Sequence, residues 1–143
     1  MQQSGEKGRS AVAQKSQLTQ TYTAMVTQAR MKSVRMREAP ELPKNQSVSL
    51  LVTDGASKGM SFPIQKPQVV LGRTTGDILI TDSKISGIHC VVEVHGPSAL
   101  LVDLESGNGT FVGGKKVVSS ELDNMSEFRI GKTTLMFVIT GRY

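Results

Sequence analysis

Three short polar clusters carry the residue types that can hold a phosphate dianion: Gly72-Arg73, Ser86-Gly87-Ile88-His89 and Ser106-Gly107-Asn108-Gly109-Thr110. Such an anion asks for a cation with forked donors, one or more hydroxyls, and backbone N–H groups that glycine-rich turns can aim at it. Arg73 supplies the fork, Ser86 the hydroxyl, and the glycines an accessible backbone. Ser86 follows Arg73 by 13 residues, and Asn108 follows Ser86 by 22. Taken singly, each residue has a plainer reading: Arg73 as a surface arginine, His89 as a structural histidine beside a strand, Asn108-Gly109 as a hairpin turn. Their shared position at the ends of strand-like segments is what gives them weight.

The elements that must position these clusters begin near residue 47. Short β-type segments over 47–53, 60–64, 69–72, 78–80, 88–94, 99–104, 111–112, 117–118, 128–130 and 133–139 are punctuated by turn residues, with no convincing helix between them. That spacing predicts an all-β domain over 47–140, an antiparallel β-sandwich. Alternation is only partial in Val91-Val92-Glu93-Val94-His95, so the inward face is left open. Residues 1–46 are rich in Gln, Ser, Thr and Lys and end in Ala39-Pro40-Glu41-Leu42-Pro43. They read as a flexible, largely irregular basic tail and linker. Within them Tyr22, Met25, Val26, Ala29 and Met36 recur at helical spacing, compatible with a short amphipathic helix over 22–36 that needs something to pack on.

Composition narrows the function. A chain of 143 residues suits one domain plus a tail. The single cysteine, Cys90, excludes an internal disulfide and a cysteine metal site. With neither a signal-like apolar run nor a membrane-length one, the expectation is a cytoplasmic protein without membrane contact. Eight Lys or Arg face three acids in residues 1–46, whereas residues 47–143 hold nine of each sign. The basic excess therefore belongs to the tail. A nucleic-acid-binding fold would carry a basic stripe and stacking aromatics on its own elements, and no such stripe is present. No paired-carboxylate site, metal-ligand cluster, P-loop or Ser/His/Asp set is visible, so neither enzyme, cofactor nor metal is expected.

The clusters, together with Asp77-Ile78, Asp82 and Asp103-Leu104, resemble the forkhead-associated (FHA) domain over about residues 48–139. That family reads phosphothreonine in an extended peptide. The resemblance implies an FHA/SMAD-like sandwich in which Arg73 and Ser86 contact the phosphate and Asn108 bonds the peptide backbone. It gives Gly72, His89, Ser106, Gly109 and Thr110 the work of shaping and bracing the loops. Gly87 and Gly107 stand where relatives carry larger side chains, so their backbone N–H groups and the charge of Lys84 are the expected substitutes.

The resemblance also implies a ligand: a phosphothreonine peptide, from the chain's own tail or a partner protein, made by a Ser/Thr kinase. Thr19, Thr21, Thr23 and Thr27 are the candidates for phosphorylation. The family commonly reads the third residue after the phosphothreonine, which favours Thr23 because Val26 then occupies that place. Binding in cis or in trans, with a dimer through tail exchange, would regulate an output domain such as an FHA-linked diguanylate cyclase. The alternative is an FHA scaffold or oligomerisation module that ignores phosphate.

Overall fold

Hydrophobic runs in the middle of the chain demand cover on two sides, and the architecture supplies it. In the computed structural model, which describes residues 18–141, the domain is a sandwich of two sheets. The strands are β1 (Gln46–Asp54), β2 (Ser61–Ile64), β3 (Gln68–Gly72), β4 (Ile78–Leu79), β5 (Cys90–His95), β6 (Ser98–Asp103), β7 (Thr110–Val112), β8 (Lys115–Val117), β9 (Ser119–Leu122), β10 (Glu127–Ile130) and β11 (Thr133–Gly141). One sheet has the order β2-β1-β11-β10-β7-β8, the other β4-β3-β5-β6-β9.

Between the sheets lies the main core, including Leu50, Val69, Leu71, Val92, Leu101, Leu122, Phe128, Ile130 and Phe137. Burying such side chains stabilises the fold by about 1.5–3 kcal/mol each before conformational entropy is set against it. β1 alternates buried with more exposed positions, as a strand with one solvated face should. β5 instead is buried at five of its six residues, and so is β6. Val70, Val91, Leu100 and Val102 point away from the main core and build a second cluster on the outer face.

A helix, α1 (Gln20–Met31), covers that face with Val26 and Ala29, and Met36 follows it into the same cluster at 0 % exposure. Thr19 caps the helix, its Oγ1 accepting from the Tyr22 amide at 3.2 Å. Docking is pinned by a buried carboxylate. Glu93, 0 % exposed, accepts a fork from Arg30 (Nε at 2.7 Å, Nη2 at 2.6 Å), a bond from Gln68 Nε2 at 2.8 Å and one from His95 Nε2 at 2.8 Å. Burial pushes this carboxyl upward, but the bonds from Arg30, His95 and Gln68 outweigh it and hold the group below its ordinary range. Downstream, Ser33 Oγ donates to Glu121 at 2.5 Å and Arg35 Nη2 to Glu121 at 2.6 Å, while the Glu41 amide donates to the Val94 carbonyl.

These contacts correct the expectation of a loose N-terminal segment. The segment read as a flexible tail over 1–46 is packed against the domain from residue 18 onward, and its helix occupies Gln20–Met31 rather than 22–36. Its first 17 residues lie outside the described residues. The sandwich is antiparallel as expected, with one parallel pairing, β3 with β4, through Leu71 with Ile78 and Gly72 with Leu79. Finally β9, Ser-Ser-Glu-Leu, offers a single fully buried residue, Leu122, and so gave no strand signal. Among the described residues no helix is long and apolar enough to cross a membrane.

Candidate functional site

The three polar clusters converge at one end of the sandwich, tied together by hydrogen bonds between loops. β3 ends in Gly72, and the Arg73 amide donates to the Ser86 carbonyl at 2.9 Å. Arg73 Nε donates to the Ile85 carbonyl at 2.9 Å, which fixes the side chain along the neighbouring loop. Its terminal nitrogens have no protein partner among the described residues. Ser86 Oγ accepts from the Gly107 amide at 2.9 Å and keeps its own hydrogen to donate. Asn108 Nδ2 donates to the Lys84 carbonyl at 2.9 Å, leaving the amide oxygen as an acceptor. Guanidinium, hydroxyl and carboxamide thus come from loops that are bonded to one another.

Gly72 is required here for space. A Cβ on it would stand 2.1 Å from the Gly87 carbonyl oxygen and 2.3 Å from that of Thr75. Gly87 in turn accepts from the Thr74 and Thr75 amides, so its carbonyl belongs to the packing of the Arg73 loop. The Gly107 N–H, expected to face an anion, is instead given to Ser86. Gly107 therefore positions the hydroxyl.

His89 braces the site from beneath. Its Nδ1 accepts from the Ser86 amide at 3.0 Å, so the hydrogen lies on Nε2, which donates to the Gly109 carbonyl at 3.0 Å. The ring is fully buried, and burial lowers its pKa against the opposing pull of the Gly109 bond and the Asp103 and Asp82 charges. The neutral form is the one built in. Because the folded pKa lies below the unfolded value of about 6.5, stability is full above pH 6.5 and is lost as pH falls below it. We expect the unfolding free energy to fall with a slope of at most about 1.4 kcal/mol per pH unit from this group. Urea titrations across pH 5–7 should show that slope flattened in His89→Gln.

Two residues were undervalued by sequence reasoning. Asp103 is the hub of the third loop, accepting from the Ser106 amide (3.2 Å), Ser106 Oγ (2.5 Å) and Thr110 Oγ1 (2.7 Å), while Ser106 Oγ accepts from the Gly109 amide (3.0 Å). A strand-ending acid three residues before a serine is the signal for such a turn. Lys116 was missed. Its stem lies over Gly109, with Cε 2.8 Å from where a Cβ would sit, so a further exposed cation stands beside Asn108, together with Lys84. Only the folded hairpin of β7 and β8 makes it a neighbour.

The four candidate threonines are all exposed, Thr21, Thr23 and Thr27 on α1 and Thr19 at its cap. Among the described residues none of them is hydrogen-bonded to the loops of Arg73, Ser86 and Asn108, and α1 packs on the outer face of the second sheet. Among the described residues there is no group of three or more metal-ligating side chains.

Residues 51–141 match the family model described as the cytoplasmic domain of the inner membrane component of the type III secretion system. The glycogen accumulation regulator GarA of Mycolicibacterium smegmatis is 35% identical over 96 residues, covering 66% of this chain and 60% of that protein. An oxoglutarate dehydrogenase inhibitor of Corynebacterium jeikeium is 33% identical over 98 residues, covering 68% and 67%. The match thus spans three fifths to two thirds of these relatives' own length. Among solved structures, the FHA domain of a Chlamydia trachomatis protein is similar at a TM-score of 0.60 and 28% identity, covering 64% of this chain and 96% of that one. The FhaA FHA domain, solved in complex with the intracellular domain of another protein, is similar at 0.57 and 28% identity, covering 64% and 99%.

Proposed function

This chain belongs to the forkhead-associated family, and from that premise we propose that its loop cluster binds a phosphorylated threonine, first of all one in its own N-terminal segment. The observation that carries the reading is the joining of Arg73, Ser86 and Asn108 by hydrogen bonds between their loops, with the arginine's outer nitrogens, the serine hydrogen and the asparagine oxygen unused among the described residues. Arg73 would take the phosphate as a forked cation and Ser86 would donate to it. Asn108 would accept a peptide N–H, and Lys84 and Lys116 would attract the anion to this end of the sandwich.

Thr23 is the preferred ligand. It is exposed, it lies in a basic segment, and a phosphate there adds roughly −1.5 to −2 charges. Binding in cis or in trans would place the chain in signal transduction as a regulatory module in the cytoplasm, downstream of a Ser/Thr kinase and acting on an attached or partner output domain, a diguanylate cyclase among the options. A dimer by tail exchange is the trans form of the same chemistry. The similar structure of FhaA with the intracellular domain of another protein supports recognition of a partner segment.

The test is a titration with a peptide of residues 20–28, with and without phosphate on Thr23. The phosphorylated form is expected to bind and the plain form to bind far more weakly. Asn108→Ala should weaken both forms by about 1 kcal/mol, roughly fivefold, because it serves the peptide backbone. A loss confined to the phosphorylated form would remove it from that role.

A second reading has its own observation. Gly87 and Gly107 present no side chain to a phosphate, and the matching family description is of a secretion-apparatus component. On this reading the chain is a scaffold or oligomerisation module, and equal affinity for the two peptide forms would favour it.

A further inference from the structure

We propose that α1 is a releasable latch: docked, it withholds Thr23 and Val26 from the Arg73–Ser86–Asn108 site, and the Arg30–Glu93 pair holds it shut. The inference rests on the phosphothreonine reading and adds the regulation of that site. Four observations carry it. First, the Thr23 amide is bonded to the Thr19 carbonyl at 2.9 Å, so the backbone that a peptide-binding loop would engage is spent within the helix. Second, Val26, three residues past Thr23, is 2 % exposed because it faces Val70, Val91, Leu100 and Val102. A segment cannot lie as a helix on that face and as an extended ligand in the pocket at once.

Third, the hold is built to let go in part. Within α1 Val26 and Ala29 are buried and Tyr22 is partly buried beside them, and among the described residues the fixed charge contact is the single Arg30–Glu93 fork. A helix of 12 residues gains little stability by itself, so losing the fork shifts the balance toward release. Fourth, the anchor beyond the latch is independent of it. Ser33 and Arg35 are bonded to Glu121, Met36 is buried, and Glu41 bridges to His95. From Ser33 back to Thr23 an extended chain reaches roughly 33 Å. From Leu100, opposite Glu121, to the pocket end of β6 is roughly 10 Å of strand. A released α1 therefore reaches its own domain's loops while the segment over 33–41 stays in place. Phosphate on Thr23 shifts the balance because only the extended, pocket-bound form gains from it.

The test uses the full chain with phosphothreonine installed at position 23 by peptide ligation, and as probe a fluorescent peptide of residues 20–28 carrying phosphothreonine 23. Amide hydrogen exchange over 20–31 reports the latch directly. Arg30→Met, and Ala29→Gly as a variant that leaves Glu93 paired, should speed that exchange while strand amides are unaffected. In the phosphorylated chain either variant should raise the apparent Kd of the probe about tenfold or more, independent of protein concentration, because the freed tail competes better. In the unphosphorylated chain the probe should bind the variants and the parent alike. Faster exchange with unchanged competition would overturn the latch while leaving the site intact. A probe that fails to bind the unphosphorylated parent would overturn the phosphothreonine reading, and the latch with it.

Discussion

Arg73→Ala is expected to remove binding of the Thr23-phosphorylated peptide while leaving the domain folded. The side chain is exposed, and its one bond among the described residues is from Nε to the Ile85 carbonyl. Its contribution therefore falls mainly on an anion brought to the loop end. Truncating one member of a hydrogen-bonded charge pair costs about 2–5 kcal/mol, the larger part from the charge left without a partner. A loss of roughly thirtyfold or more in Kd is the expected reading, with a thermal midpoint within a few degrees of the parent. Arg73→Lys should restore only part, since a point charge cannot reproduce the fork. Isothermal titration decides it, and retained affinity in Arg73→Ala would take this residue out of the site.

Gly72→Ala is the gentlest substitution by size and should be among the most damaging. Its added carbon would meet two backbone carbonyl oxygens, those of Gly87 and Thr75, at 2.1 and 2.3 Å. Backbone cannot step aside as a flexible side chain does, so the Arg73 and Ser86 loops must part. Overpacking of this severity costs about 3 kcal/mol or more, lowering the thermal midpoint by roughly 10 °C in a domain of this size. Peptide binding should fail too, because Arg73 and Ser86 meet through the amide bond next to the displaced glycine. Calorimetry of the variant beside Arg73→Ala separates loss of fold from loss of contact. A midpoint like the parent's would mean that the loop tolerates the carbon.

What could be read from the chain was governed by how local the cause is. The loop end was legible because turns need particular residues within a few positions, and Gly72 and Asn108-Gly109 each declare themselves. The sandwich was legible from the spacing of apolar runs. The docked helix was not, because its hold depends on residues 63 positions apart, Arg30 and Glu93, and on a face built by three different strands. A clue did exist. Val91-Val92 and Ala99-Leu100-Leu101-Val102 are apolar at consecutive positions, which a strand with one wet face does not need. The broken alternation was the mark of a third layer, α1, lying over the sheet.

That third layer sets where the self-sufficient unit starts. A fragment cut at Ser47, where the β pattern opens, would leave Val70, Val91, Leu100 and Val102 facing water beside a Glu93 stripped of its arginine. An oily stripe of that kind invites clumping. The smallest piece fit for a test tube therefore begins ahead of the sandwich, with the helix still attached.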